Sequence, residues 1–180
     1  MTKYEIVLHP DQRLKKPCSS VSKVTDEVRS IALKMLDTMY SAPGIGLAAP
    51  QIGISKRIFV MDCAEKDKES EPHICINPKI EWISDKKNIY EEGCLSIPDF
   101  YGEIERPSEL RMSCLNEYGE KVEYQFEGLE ATCAQHELDH LNGILFIDYL
   151  SSMRRRIITE KMKKIKRQSS RLASNYEVGD

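Results

Sequence analysis

His136-Glu137-Leu138-Asp139-His140, read back to Gly128-Leu129-Glu130-Ala131-Thr132-Cys133-Ala134-Gln135 and forward to Leu141-Asn142-Gly143, decides the fold. The stretch predicts a helix over residues 128–141 that stops at Asn142-Gly143. Leu129, Cys133, Leu138 and Leu141 give that helix a side to bury. Histidines four apart lie on one helical face, about 40° apart around the axis, so both can ligate one ion. Glu137, beside His136, can reach a water on that ion. The chain has four histidines and two of them fall here.

Working back from this helix, Leu110, Met112 and Cys114 alternate with polar residues, as do Val122, Tyr124 and Phe126. Around Gly119 that pattern predicts a β-hairpin with one buried face. Residues 74–77 and 80–84 read as short strands interrupted by Pro78, 85–88 as a turn, 64–72 as a charged surface loop, and 57–62 as a strand. Residues 44–51 read as a loop or edge segment. A first helix is expected over 25–40, with Thr25 as N-cap and Asp26 and Glu27 in its first turn. Val28, Ile31, Ala32, Met35 and Met39 form its buried face.

Forward of the central helix, residues 144–147 read as a short apolar strand. From Ser152 the pattern is helical, with Met153, Ile157, Ile158, Met162 and Ile165 on one side and fraying from Ser169 to Asp180. The class is α+β: small mixed or antiparallel sheets packed around a central metal-binding helix, with a C-terminal helix. No linker divides the chain, so residues 1–180 are expected as one domain, with 152–180 a basic helix and tail.

The 180 residues are 41% hydrophobic and 31% charged, which excludes long-range disorder and collagen-like sequence. No apolar run approaches the roughly 20 residues of a membrane span. Met1-Thr2-Lys3-Tyr4-Glu5-Ile6 lacks the apolar core of a secretory signal and is not an Arg/Ser-rich transit peptide. The six cysteines contain no Cys-x-x-Cys, and reduced cytosolic thiols fit them better than disulfides. Net charge is −3, yet between Arg154 and Arg171 nine Lys/Arg face one acid, Glu160, which leaves −11 on the other 162 residues. A basic segment on an acidic body suggests either a polyanionic partner or a solvated amphipathic helix.

Two histidines do not complete a catalytic site, which usually has three protein ligands and one open position. Two candidates stand for the third. Glu160 would suit a zinc endopeptidase, although it sits among Lys161, Lys163 and Lys164, where a salt-bridged surface glutamate is simpler. Cys94, between Gly93 and Leu95-Ser96-Ile97-Pro98, is well placed to present a thiolate, although a lone cysteine is more often a small buried hydrophobe.

Three segments, Gly44-Ile45-Gly46-Leu47-Ala48-Ala49-Pro50-Gln51, Glu92-Gly93-Cys94-Leu95-Ser96 and His136-Glu137-Leu138-Asp139-His140, resemble in order and spacing the signature motifs of the peptide deformylases. Pro10-Asp11-Gln12-Arg13-Leu14, Ile76-Asn77-Pro78 and 143–150 extend the resemblance to about Lys166. It implies a hydrolase that removes the formyl group from the N-terminal formylmethionine of nascent polypeptides. It further implies Cys94, His136 and His140 as ligands of one Fe2+, with Zn2+ or Ni2+ as possible substitutes. Glu137 would be the general base and acid, and Gln51 with the Leu95 backbone N–H the oxyanion donors. The substrate would lie along Ile45, Gly46 and Gly93, with its methionine side chain near Tyr90, Leu129, Thr132, Cys133 and His136.

Two departures stand out. Tyr101 occupies the position of a substrate-facing Arg in many members, and Thr132 is more polar than the aliphatic residue often found in the methionine pocket. The resemblance also implies that the segment from Arg154 to Arg171 docks on the ribosome. Neither DNA nor membrane is expected as a partner, and the bacterial cytoplasm is the expected location. The remaining alternative is a ribosome- or RNA-binding protein with a structural metal, for which the sequence offers no convincing fourth ligand.

Overall fold

A computed structural model describes residues 3–177. The first helix, α1 (Asp26–Ser41), begins as its sequence requires: the Thr25 side chain accepts from the Val28 N–H at 3.3 Å. It buries Ala32, Met35, Leu36 and Met39 against Leu47, Ile58 and Val60 of the next two strands. Those strands are β1 (Gly46–Ala48) and β2 (Ile58–Met61), separated by a 3-10 turn over Ala49–Ile52. Then follow β3 (His73–Ile83), β4 (Lys87–Cys94), β5 (Ile97–Pro107), β6 (Glu109–Leu115) and β7 (Lys121–Glu127).

All strand pairs are antiparallel. Five strands form one sheet in the order β1-β2-β3-β6-β7, and β4 and β5 form a separate two-stranded sheet. The central helix α2 (Gly128–Leu141) has the expected bounds. Its Ala131, Cys133, Ala134 and Leu141 pack on Phe59, Met61, Leu110, Met112 and Phe126 of the larger sheet. Each Leu, Met or Phe among them contributes roughly 1.5–3 kcal/mol on full burial. The core therefore fixes the helix that carries both histidines.

Several expectations are corrected. Pro78 does not split a strand: β3 is continuous, and its register with β6 steps from Ile76–Leu115 to Lys79–Ser113. Asn77 takes φ 50° at that step, and its side chain exchanges two 2.8 Å hydrogen bonds with the Val21 backbone. A bulge thus absorbs the proline that cannot donate to the ladder. The long β4–β5 hairpin was not anticipated beyond a turn before it.

The apolar run 144–147 is not a strand. A 3-10 turn covers Phe146–Tyr149, and Asp148 Oδ2 accepts from the Leu145 N–H at 2.9 Å. A short buried run does not reveal its period, and here the Asp148 side chain selects the turn. The last helix, α3 (Ser152–Glu177), runs through most of the segment expected to fray, and residues 178–180 lie outside the described ones. Its apolar side is also narrower than expected. Ile158 and Met162 are buried, whereas Met153 and Ile157 are 74% and 50% exposed. No helix among the described residues is long and apolar enough to cross a membrane.

Candidate active site and metal centre

The C-terminal residue of β4, Cys94, pairs with Ile97 across the tight turn that starts β5. This turn presents its thiol to α2, where His136 and His140 share a face. The ligand atoms of Cys94, His136 and His140 all lie within 4.8 Å of one another. Cys94 Sγ stands 3.3 Å from His140 Nε2, and the two imidazole rings meet edge to face at 4.9 Å. His136 Nδ1 is taken by Glu92 Oε1 at 2.8 Å, which turns its other nitrogen toward the cluster. One sulfur and two imidazole nitrogens form a donor set that suits Fe2+, Ni2+ or Zn2+ and is poor for Mg2+ or Ca2+. Glu160 is exposed on α3, bonded to Lys163 at 2.9 Å, and does not line the cleft at this cluster.

Burial raises the Glu137 carboxyl to about 7, and its Oε2 has no hydrogen-bond partner. A carboxyl held near neutrality can both take and return a proton. Burial also disfavours a charged His136, but contacts with Cys94 and Glu92 outweigh it and raise the imidazole well above its ordinary value. His140 is pushed the other way, by burial first and then by the charges of His136 and Arg106.

Gln51 is fixed at both ends of its amide. Its Oε1 accepts from the Ala48 N–H at 2.9 Å, and its Nε2 donates to Ser96 Oγ at 3.1 Å and to Cys94 Sγ at 3.4 Å. An amide N–H therefore points at the cluster. A cleft of about 630 Å3 opens there, with Gln51, Leu95, Cys94, His136 and Glu137 in its wall. Ile45, Gly46, Tyr90, Gly93, Leu129, Thr132 and Cys133 also line it. His140 is 1% exposed and stands behind the wall. Ile45 and Leu129 remain 45% and 42% exposed, so they form the rim. Tyr101 lines the mouth, where its ring covers Gly93: a Cβ on that glycine would lie 2.7 Å from Tyr101 Cε1. Arg154 Nη2 of α3 donates to the Tyr101 carbonyl at 2.7 Å.

One buried network was missed in the sequence. Arg106 donates to Glu92 at 2.7 and 3.0 Å and to Asp139 Oδ2 at 2.9 Å. Tyr149 donates to the same Asp139 oxygen at 2.7 Å. Burial opposes ionisation of Glu92, but the bonds from His136 and Arg106 overcome it and hold the carboxyl below its usual range. The chain His136–Glu92–Arg106–Asp139 thus sets the tautomer and tilt of one imidazole. A signal was present. Arg106 is the lone cation among six acids between Lys87 and Arg111, and with Gly102 and Ile104 it falls on the inward side of a period-2 pattern.

A family profile described as polypeptide deformylase matches residues 3–156. A peptide deformylase of Phenylobacterium zucineum is 51% identical over 160 residues, 89% of this chain and 95% of that protein. One of Rhizobium meliloti is 44% identical over 164 residues, 91% of this chain and 94% of its own length. The crystal structure of peptide deformylase from Ehrlichia chaffeensis superposes with a TM-score of 0.89 at 39% identity, covering 93% of this chain and 99% of that one. The Ehrlichia chaffeensis enzyme in complex with actinonin also gives 0.89, at 40% identity.

Proposed function

The chain belongs to the polypeptide deformylase family, and from that membership we propose how its own residues divide the work. It is a metalloenzyme that hydrolyses the formamide bond of N-terminal formylmethionine in newly synthesised proteins, giving formate and a free α-amine. Cys94, His136 and His140 hold one divalent ion in this reading. The observation that carries it is the convergence of their ligand atoms within 4.8 Å, beside a buried Glu137 with a free oxygen. The ion is Fe2+, with Zn2+ and Ni2+ as substitutes that the same sulfur and nitrogen donors accept. When bound, it supplies a Lewis acid that polarises water and the formyl oxygen.

Glu137 removes a proton from the attacking water and returns it to the departing amine nitrogen as the C–N bond breaks. The Gln51 Nε2–H and the Leu95 backbone N–H face the oxygen on which negative charge develops. Each such donor is worth on the order of 10²–10³ in rate. The peptide adds as a strand along Gly44-Ile45-Gly46. This is supported by the position of β1 at the end of its sheet, where one backbone edge has no strand neighbour among the described residues. Gly46 and Gly93 allow close approach of the substrate backbone. The methionine side chain enters between Tyr90, Leu129, Thr132, Cys133 and His136, with Ile45 at the rim, and actinonin is expected in the same cleft.

Residues 1–180 act as one catalytic unit in the bacterial cytoplasm. The basic stretch from Arg154 to Arg171 faces solvent over most of its length and provides a ribosome contact. The reading is tested by loading the oxygen-free protein in turn with iron, nickel or zinc and measuring formate released from a formyl-Met tripeptide. Iron and nickel forms should turn over. Absence of formate under every metal would contradict the reading.

A further inference from the structure

Among the described residues, five side chains carry a buried polar atom with no hydrogen-bond partner, and two of these, Glu137 and Thr132, line the cleft. Glu137 has its role in proton transfer. Thr132 is 3% exposed, and its Oγ1 is bonded to nothing. A threonine inside a helix ordinarily donates to the carbonyl one turn back. The same residue type in α1 does so: Thr38 Oγ1 donates to the Lys34 carbonyl at 2.8 Å. Thr132 makes no such bond. A buried hydroxyl left unpaired is a standing cost to the fold, which an acceptor atom on water or on a ligand in the cleft can relieve.

The cleft wall narrows the choice of partner. Next to Thr132, Cys133 Sγ already contacts the Ile45 carbonyl at 3.7 Å, and His136 Nδ1 is committed to Glu92. Leu129 offers no polar atom. Thr132 is therefore the uncommitted donor on the α2 face that the methionine side chain meets in the reading above, on which this inference rests.

We propose that Thr132 is a specificity-determining residue whose hydroxyl donates to the thioether sulfur of the substrate's formylmethionine. The sulfur is a weak acceptor, but it is the only heteroatom in that side chain. A wall without a donor would favour the hydrocarbon isostere norleucine, in which a methylene replaces sulfur, because it is the more apolar. A donor at Thr132 reverses that order.

The test compares kcat/KM for formate release from formyl-Met-Ala-Ser and formyl-norleucine-Ala-Ser by the iron-loaded full chain. The wild type should prefer methionine by about threefold to tenfold, the range expected of one modest hydrogen bond. Thr132→Val should bring the ratio to about 1 or below, and Thr132→Ser should keep it. Tyr90→Phe, which removes a second hydroxyl from the residues around the methionine side chain, should also keep it. A wild-type ratio of 1 or less overturns the proposal whether or not any variant folds. So does a Thr132→Val ratio equal to that of the wild type. Formate from neither peptide would instead overturn the functional reading, a distinct result.

Discussion

Gly46 has no room for a side chain. A Cβ there would lie 2.3 Å from Glu137 Oε1 and 3.0 Å from Cys133 Sγ. The requirement is steric, since no positive φ is recorded at this glycine. Gly46→Ala must displace the Glu137 carboxylate, to which the proposed reaction gives the proton transfer, so kcat should fall by about 10²-fold, the penalty of an ångström-scale misplacement. A kcat within threefold of wild type would show that the carboxylate position is not critical. At this scale much of the site was legible. Two histidines four apart with Glu137 between them declared a metal helix from spacing alone. Spacing could not choose between Cys94 and Glu160. The resemblance of the three motifs chose Cys94, and the turn that folds β4 back toward α2 brings it to His140, a contact between residues more than forty positions apart.

Elements were legible where their period was long and hidden where a side chain overrode it. The helices α1 and α2 announced themselves by their caps and apolar spacing, and the β6–β7 hairpin by its alternation. The Asn77 bulge and the Asp148-capped turn were not visible, because each depends on a single polar side chain meeting backbone. The β4–β5 sheet was hidden for another reason: its inward residue, Arg106, is charged, and a charge reads as surface until its partners are known. With Arg106 and Glu92 each 5% exposed, removing the cation takes the counter-charge from two carboxylates and leaves Glu92 only His136, and Asp139 only Tyr149, as a side-chain partner. Arg106→Met should cost about 3–5 kcal/mol, which for a chain of this length lowers Tm by roughly 10 °C. It should also weaken metal affinity by about 10–100-fold, because Glu92 no longer holds His136 in register. An unchanged Tm with unchanged metal affinity would show that the network neither stabilises the fold nor positions His136.

At the scale of the whole molecule, charge is divided between an acidic body and α3. Ile158, Met162 and Ile165 pack the helix against Val7, Leu14 and Phe146. Most of its Lys and Arg side chains point to solvent. Arg156 and Lys164 are among them, so Arg156→Glu with Lys164→Glu reverses charge without touching the packing. Co-sedimentation with ribosomes should fall in this variant and should weaken steeply with salt in the wild type. Salt-independent binding would assign the contact to another surface. The same helix reaches the catalytic cleft through Arg154 and the Tyr101 carbonyl, so the basic element is mechanically joined to the mouth of the site.

In the proposed reaction Glu137 moves the proton beside an ion held by Cys94, His136 and His140. The most direct test of this is Glu137→Gln, prepared without oxygen, with bound metal counted and formate release from a formyl-Met tripeptide measured on the same sample. One ion per chain with at least about a 10²-fold loss of turnover is the expected result. Full metal content with turnover within tenfold of wild type would contradict the assignment of Glu137.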